Sequence, residues 1–307
     1  MEAVILAANQ IFIMFIIILL AVAMYKAKLV DGDGSRVLSN ILMYLINPCI
    51  IFCSYQKEFD EKLVRGLLIS FVLAVIGHII SILTAQIFIR GRGVDLINER
   101  MAVIYSNCSF LAIPLVERIY GLEGVFYLTA YITIFNILIW THGILFMGGK
   151  EYRKEAVKAL YSPAILTIVI GLVFYFTGIR LPSIVMEPLE SISKMNTPVA
   201  MIIAGICIAQ VDVKKTLGKW RIYLVSFLKL IFVPLCLILL AKPFLGSGIV
   251  CGVSVIAAAS PVATMCMIFA IRFHKDSQYA SELFAISTLL SMGTIPLVLY
   301  LLEMIPL

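Results

Sequence analysis

Apolar runs of about twenty residues, separated by short charged loops, recur from one end of this 307-residue chain to the other. An α-helix needs a run of that length to cross the roughly 30 Å hydrocarbon core of a bilayer. In hydrocarbon, every backbone N–H and C=O must find its partner inside the protein, which restricts what can span it. The residues are 62% hydrophobic and 14% charged, against about half and a quarter in soluble domains. No soluble domain, low-complexity tract or long loop interrupts the pattern. The expected fold class is an all-α polytopic membrane protein.

The runs predict about ten helices, near 3–25, 36–54, 63–89, 101–119, 122–147, 159–178, 187–210, 219–242, 248–272 and 278–302. Lys and Arg favour the loops after odd-numbered spans, among them Lys26, Lys28, Arg90, Arg100, Lys150, Arg153, Lys154, Lys158, Lys214 and Lys215, by better than two to one. Positive loops stay cytoplasmic. The expectation is therefore a multi-pass protein of the cell (plasma) membrane with both termini extracytoplasmic. The start, Met1-Glu2 followed by an apolar run, reads as a retained first span rather than a signal peptide. The net charge of +6 is then a matter of orientation, and no nucleic acid is expected as a partner. The seven cysteines lie in or near apolar runs without a CxxC pair, as small buried hydrophobes do. Asp31-Gly32-Asp33-Gly34-Ser35 lacks the later acidic ligands of a calcium loop and reads as a turn with a helix N-cap.

The halves 1–150 and 151–307 echo each other in order. Asn47-Pro48 pairs with Asn196-Thr197-Pro198, Ile69-Ser70-Phe71 with Val225-Ser226-Phe227, and the stripe Thr129, Thr133, Asn136 with Ser287, Ser291, Thr294. In the fourth and ninth spans polar and helix-breaking residues interrupt the apolar run: Tyr105-Ser106-Asn107-Cys108-Ser109-Phe110-Leu111-Ala112-Ile113-Pro114, and Ala258-Ala259-Ser260-Pro261-Val262-Ala263-Thr264. Proline removes a backbone donor and frees a carbonyl a turn earlier. Such breaks persist in a membrane only within protein or beside a water-filled cavity. Two five-helix halves place the second copy upside down, a five-plus-five inverted repeat with crossing broken helices 4 and 9. Paired breaks of this kind point to a transporter's substrate site.

At these residues the chain resembles the auxin efflux carrier family, within the bile-acid and arsenite transporter superfamily, along essentially its whole length. The resemblance rests on Asn107 to Pro114 with its trailing Leu-x-x-Pro, on Ser260 to Thr264 followed by Phe269-Ala270, on Ile295-Pro296-Leu297, and on the Pro-containing second and seventh spans. It implies a scaffold of spans 1, 2, 6 and 7 that forms a homodimer, and a mobile transport domain of spans 3–5 and 8–10. It also implies carboxylate cargo: indole-3-acetate in plant members, malate and malonate in bacterial relatives. The long hydrophilic central loop of many plant carriers is missing, so the chain looks like the short prokaryotic form. A proline that precedes the span-four Asn in plant carriers is Ser106 here, which predicts a softer break there than at Pro261.

The site residues follow from the breaks. Half-helix N-termini offer unpaired N–H groups and a positive dipole end, suited to a carboxylate. Pro114 and Pro261 mark the breaks, with Cys108 and Val262 in the same stretches. Hydroxyls of Ser106, Ser109, Ser260 and Thr264 add donors, and Asn107 offers both donor and acceptor. The alternative for Asn107 and Ser260 is that they only satisfy backbone freed by the break. Lys229 sits mid-span, at a cost of about 2.5–3.5 kcal/mol on insertion scales. It is either a counter-charge or proton-linked group, or a structural lysine. His78, midway along span three, is a candidate proton relay or a neutral packing residue. The polar stripes are expected to mediate helix packing, with Asn136 the exception that is a candidate to bind substrate; Asn47 and Asn196 kink helices that wall its path and are further substrate-binding candidates.

The function expected is secondary active transport of small organic anions by an elevator-type movement in the bilayer. No Walker motif, paired intramembrane aspartates, HExxH or Ser/His arrangement is present, so neither ATP coupling nor an enzyme is expected. Neither a cofactor nor a metal is expected; the coupling ion is H+ or Na+. A channel or a ligand-sensing receptor built on a transporter fold is the competing class.

Overall fold

The computed structural model describes residues 2–91, 95–149, 152, 163–246 and 248–305. The 150/151 boundary between the expected halves, the start of the expected sixth span at 159–162, and Lys150, Arg153, Lys154 and Lys158 lie outside them. In chain order the helices are α1 (Glu2–Lys26), α2 (Gly32–Tyr55), α3 (Glu61–Phe88), α4 (Leu96–Ile104), α5 (Cys108–Gly148) and α6 (Pro163–Thr177). There follow α7 (Ser183–Ala209), α8 (Trp220–Leu245), α9 (Ile249–Ala259), α10 (Thr264–Arg272) and α11 (Ser277–Met304). Among the described residues there is no strand. Seven of these helices, α1, α2, α3, α5, α7, α8 and α11, are long and apolar enough to cross a membrane. Two more, α6 and α9, are apolar but shorter.

Aspartates set where several helices begin. Asp31, Asp60, Asp95 and Asp276 each accept a backbone N–H of the first turn of α2, α3, α4 and α11, at 2.8, 2.8, 3.0 and 2.9 Å. Such caps contribute about 1 kcal/mol each, and Asp31 is the N-cap that its turn sequence implied. Prolines mark three of the places where helices widen. Pro48, Pro114 and Pro234 each follow a five-residue stretch, Leu42–Ile46, Cys108–Ala112 and Leu228–Phe232, in which the helix loosens to i→i+5 bonding. The missing N–H and the bulk of the ring favour a wide turn there over a regular one. Pro114 is therefore not itself the fourth-span break; it marks the wide turn after it, and the gap lies upstream at Tyr105–Asn107.

One straight helix over the 41 residues of α5 would be about 60 Å long, twice the hydrocarbon thickness. Gly121 (φ 64°, ψ −162°) breaks it between the fourth and fifth expected spans. Packing sorts the helices into two neighbourhoods. In one, α1 lies along α7 and α2 packs on α6 and α7; in the other, α3 packs on α5, α8 and α9, and α9 on α5 and α8; α1 and α2 also pack on α5, and α1 on α11, where the two meet. Outward faces carry Phe12, Ile16 and Leu20 on α1 and Leu68, Val72, Val75 and Ile79 on α3, as suits lipid rather than water.

The two Asn-Pro motifs meet between α2 and α7. Asn196 Nδ2 donates to Asn47 Oδ1 at 2.7 Å, and both residues are buried. Asn196→Ala leaves that carbonyl oxygen without its donor, a loss of about 1–3 kcal/mol. A lower thermal unfolding temperature in detergent is the expected reading; an unchanged one would show that the bond contributes nothing.

Candidate functional site

Between α4 and α5, and again between α9 and α10, the backbone leaves the helix and runs extended: Tyr105 (φ −103°, ψ 117°), Ser260 (−63°, 145°) and Ala263 (−65°, 136°). The two stretches lie antiparallel, with Ser106 opposite Val262. Asn107 N donates to Pro261 O at 2.8 Å, and Ala263 N donates to Tyr105 O at 3.0 Å. Val262 N, on the other edge, donates to Ser287 Oγ at 3.2 Å. Each break thus satisfies groups that the other exposes, as buried backbone must. This corrects the softer break expected at Ser106. The Pro261 carbonyl needs a donor, and Asn107 can supply it only with its backbone out of the helix, so no second proline is required.

Amides at both helix starts are left over. Ser109 N and Phe110 N at the start of α5, and Thr264 N and Met265 N at the start of α10, have no backbone acceptor among the described residues. These are the unsatisfied donors of two helix N-termini, each at a positive dipole end. Thr264 Oγ1 is buried without a partner among the described residues. The Asn107 side chain, 6% exposed, makes no hydrogen bond within the described residues. Ser109 is half-buried beside it, and Cys108 is fully buried.

Lys229 arrives from α8 in the wide turn ahead of Pro234. It is wholly buried, and Nζ donates to Ser106 Oγ at 2.5 Å. Ser106 Oγ in turn donates to Ala258 O at 3.4 Å, so one hydroxyl ties the lysine to both breaks. No carboxylate among the described residues pairs with Lys229; Cys266, Cys108 and His78 are the titratable groups close enough to feel its charge. His78 Nδ1 lies 2.7 Å from Ala74 O, which fixes the proton on that nitrogen. Its Nε2 and the hydroxyl of Tyr131, whose ring is 4.7 Å away, are both buried without partners among the described residues.

The structure thus gathers Ser106, Asn107, Cys108, Pro261, Val262, Thr264 and Lys229 around one crossing. Other candidates are committed to backbone or to each other. Ser260 Oγ donates to Ile256 O at 2.9 Å, Asn136 Nδ2 to Ile132 O at 2.8 Å, and Asn47 and Asn196 are paired. None of these last three asparagines hydrogen-bonds to either break. Leu111, in the wide turn, lines a small apolar cleft with Ile11, Met14, Met201, Ser291 and Met292, between α1 and α7 on one side and α5 and α11 on the other.

Sequence reasoning missed a buried polar cluster at the ends of α4, α8 and α11. Arg221 binds Glu99 with Nε to Oε1 at 2.6 Å and Nη2 to Oε2, and Tyr279 OH donates to Glu99 Oε1 at 2.8 Å. Lys219 Nζ pairs with Glu282 at 2.6 Å. The available signal was an acid and a base at equal depth at the starts of two spans. Assigning Glu99 to a loop concealed it.

A family model described as membrane transport protein matches residues 6–158 and 150–299. An uncharacterized transporter of Methanothermobacter thermautotrophicus is 24% identical over 287 residues, covering 92% of this chain and 94% of the relative. An uncharacterized transporter of Methanocaldococcus jannaschii is 20% identical over 300 residues, covering 93% and 96%. With its broken helices paired and the match running through both halves, this multi-pass membrane chain belongs to the membrane transport protein family, that of the auxin efflux carriers.

Proposed function

We propose that the protein is a secondary carrier of small organic anions, with the substrate carboxylate seated at the crossing of the two breaks. The observation that carries this reading is the donor set: helix-end amides without a backbone acceptor at both breaks, and a buried lysine on Ser106 that no carboxylate among the described residues pairs with. A buried cation without a counter-ion is costly, and a carboxylate brings the missing charge. Asn107 and Thr264, unpartnered and nearly buried, are the side chains that read the rest of the anion.

In this reading the ten spans form a five-plus-five inverted repeat, with Gly121 as the turn between spans four and five. Spans 1, 2, 6 and 7 form the scaffold, through which two copies dimerise, and spans 3–5 and 8–10 move as the transport domain. The two packing neighbourhoods and the narrow apolar cleft between them support that division. Elevator movement then carries the crossing from one membrane face to the other, driven by H+ or Na+. The positive loops support an orientation with both termini outside, in a protein of the cell membrane.

Counterflow in proteoliposomes tests the proposal. Radiolabelled malate, malonate and indole-3-acetate are offered to vesicles loaded with the unlabelled acid, with imposed pH or sodium gradients. The expected result is saturable, trans-stimulated uptake that Asn107→Ala lowers about tenfold, the effect of one hydrogen bond to a charged group. Non-saturating flux indifferent to trans substrate would make the protein a channel. Binding without flux would make it a receptor.

A further inference from the structure

The buried Glu99–Arg221 pair lies on the same two elements as the Ser106–Lys229 contact. Glu99 and Ser106 belong to α4 and its extended end, and Arg221 and Lys229 belong to α8. Each pair of positions is separated along its own element by about two helical turns, 10–12 Å. The two strands of contact are therefore parallel rungs between the same elements, one at a membrane face and one at the crossing. We propose that Glu99 and Arg221 are positioning residues for the transport site, a clamp that fixes the register in which Lys229 meets Ser106 and the two breaks pair. The inference rests on Lys229 serving as the anion's counter-charge.

The clamp has the rigidity this role requires. Glu99 is fully buried, and the Arg221 side chain is 15% exposed. A guanidinium fork on a carboxylate fixes distance and angle together, which a lysine cannot do. Arg221 also donates to Arg90 O beyond the end of α3 at 3.4 Å, and Arg100 donates to Ile89 O at 3.1 Å. On the far side, Tyr279 binds Glu99, and Asn98 Nδ2 donates to Asp276 O at 2.8 Å, which joins α4 to the start of α11. The first half of the broken helix is thereby held from three sides at the end remote from the break. Lys229 sits in the wide turn of α8, whose winding departs from that of the regular turns before it, so the register depends on where those regular turns are anchored. Arg221 sets it.

The neighbouring Lys219–Glu282 pair supplies the control. It joins the approach to α8 with α11 at the same face and includes no atom of α4. The experiment combines malonate counterflow with amide hydrogen exchange on the purified full chain, comparing Glu99→Gln, Arg221→Gln, Arg221→Lys and Glu282→Gln. The expected result is a KM for malonate raised tenfold or more in the first two, with exchange at the Asn107 and Ala263 amides accelerated at least tenfold. Arg221→Lys should show a smaller shift in both, because charge is kept and the fork is lost, and Glu282→Gln should stay within twofold of wild type. The clamp is refuted if Glu99→Gln and Arg221→Gln keep wild-type exchange at the crossing, or if Glu282→Gln accelerates it equally at the same loss of thermal stability. Should Glu99→Gln give no folded protein, Arg221→Lys decides: wild-type KM and exchange overturn the proposal. Failure of the wild type to move malonate would count against the anion reading alone, since exchange at the breaks tests the clamp without any cargo.

Discussion

Replacing Lys229 with methionine is expected to cut carboxylate counterflow about a hundredfold while the protein still folds. Methionine occupies similar length without charge, so the buried space between the two breaks stays filled. Ser106 Oγ keeps its bond to Ala258 O, and no acid is stranded, because none among the described residues pairs with the lysine. Removing an unpaired buried charge is neutral or stabilising for the fold. The loss falls on the bound anion. Truncating one partner of a buried charge pair costs about 2–5 kcal/mol, or between one and four decades at 1.4 kcal/mol per decade. Counterflow over a range of substrate concentrations, with thermal unfolding in detergent alongside, separates the two effects. Wild-type KM in the methionine variant would remove Lys229 from the site.

Gly205→Leu should do the reverse, destroying the fold without touching the site. A Cβ at Gly205 would stand 2.6 Å from Ile18 O and 2.6 Å from Ala21 Cβ. The first is backbone, so relief requires α1 to lift off α7 along their shared length. Small residues permit such close helix approach in membranes, where packing rather than water drives association. Overpacking costs about 1–3 kcal/mol in ordinary cores, and a leucine against backbone belongs at or above the upper end. Aggregation on size-exclusion chromatography or a fall of many degrees in unfolding temperature is the expected outcome. Gly293→Ala is the contrast: nothing lies within 4 Å of its Cβ, and it should be neutral or slightly stabilising. Equal behaviour of the two would show that α1 and α7 are not held by this contact.

What was legible in the sequence depended on range. Helix class and approximate span positions follow from hydrocarbon length, a local property, and Asp31 announced its cap through residues within one turn. The breaks were legible because Pro261 and Asn107 interrupt apolar runs. Their hydrogen bonding to each other was not, since Asn107 and Pro261 are far apart in the chain and only the folded register brings N–H to carbonyl. The same limit explains Ser106: judged alone, without a proline, it looked like a weaker break, and its partner made it a complete one. Asn47 and Asn196 were placed on matching kinks, but that their side chains would bond to each other required tertiary contact. Glu99 and Arg221 were hidden because a charge at a span's edge usually means solvent, and here it means another helix.

The pairing of Ser106 with Val262 has one more implication. The bonds that join the two stretches directly, Asn107 to Pro261 and Ala263 to Tyr105, run from peptide N–H to carbonyl, and the side chains of Asn107 and Thr264 take no part in them. A substitution of either side chain therefore leaves intact the bonds by which the two chain segments meet. In the proposed site, pairing of the breaks and choice of anion rest on different atoms, so single exchanges at Asn107 or Thr264 should change preference among carboxylates and leave the fold intact.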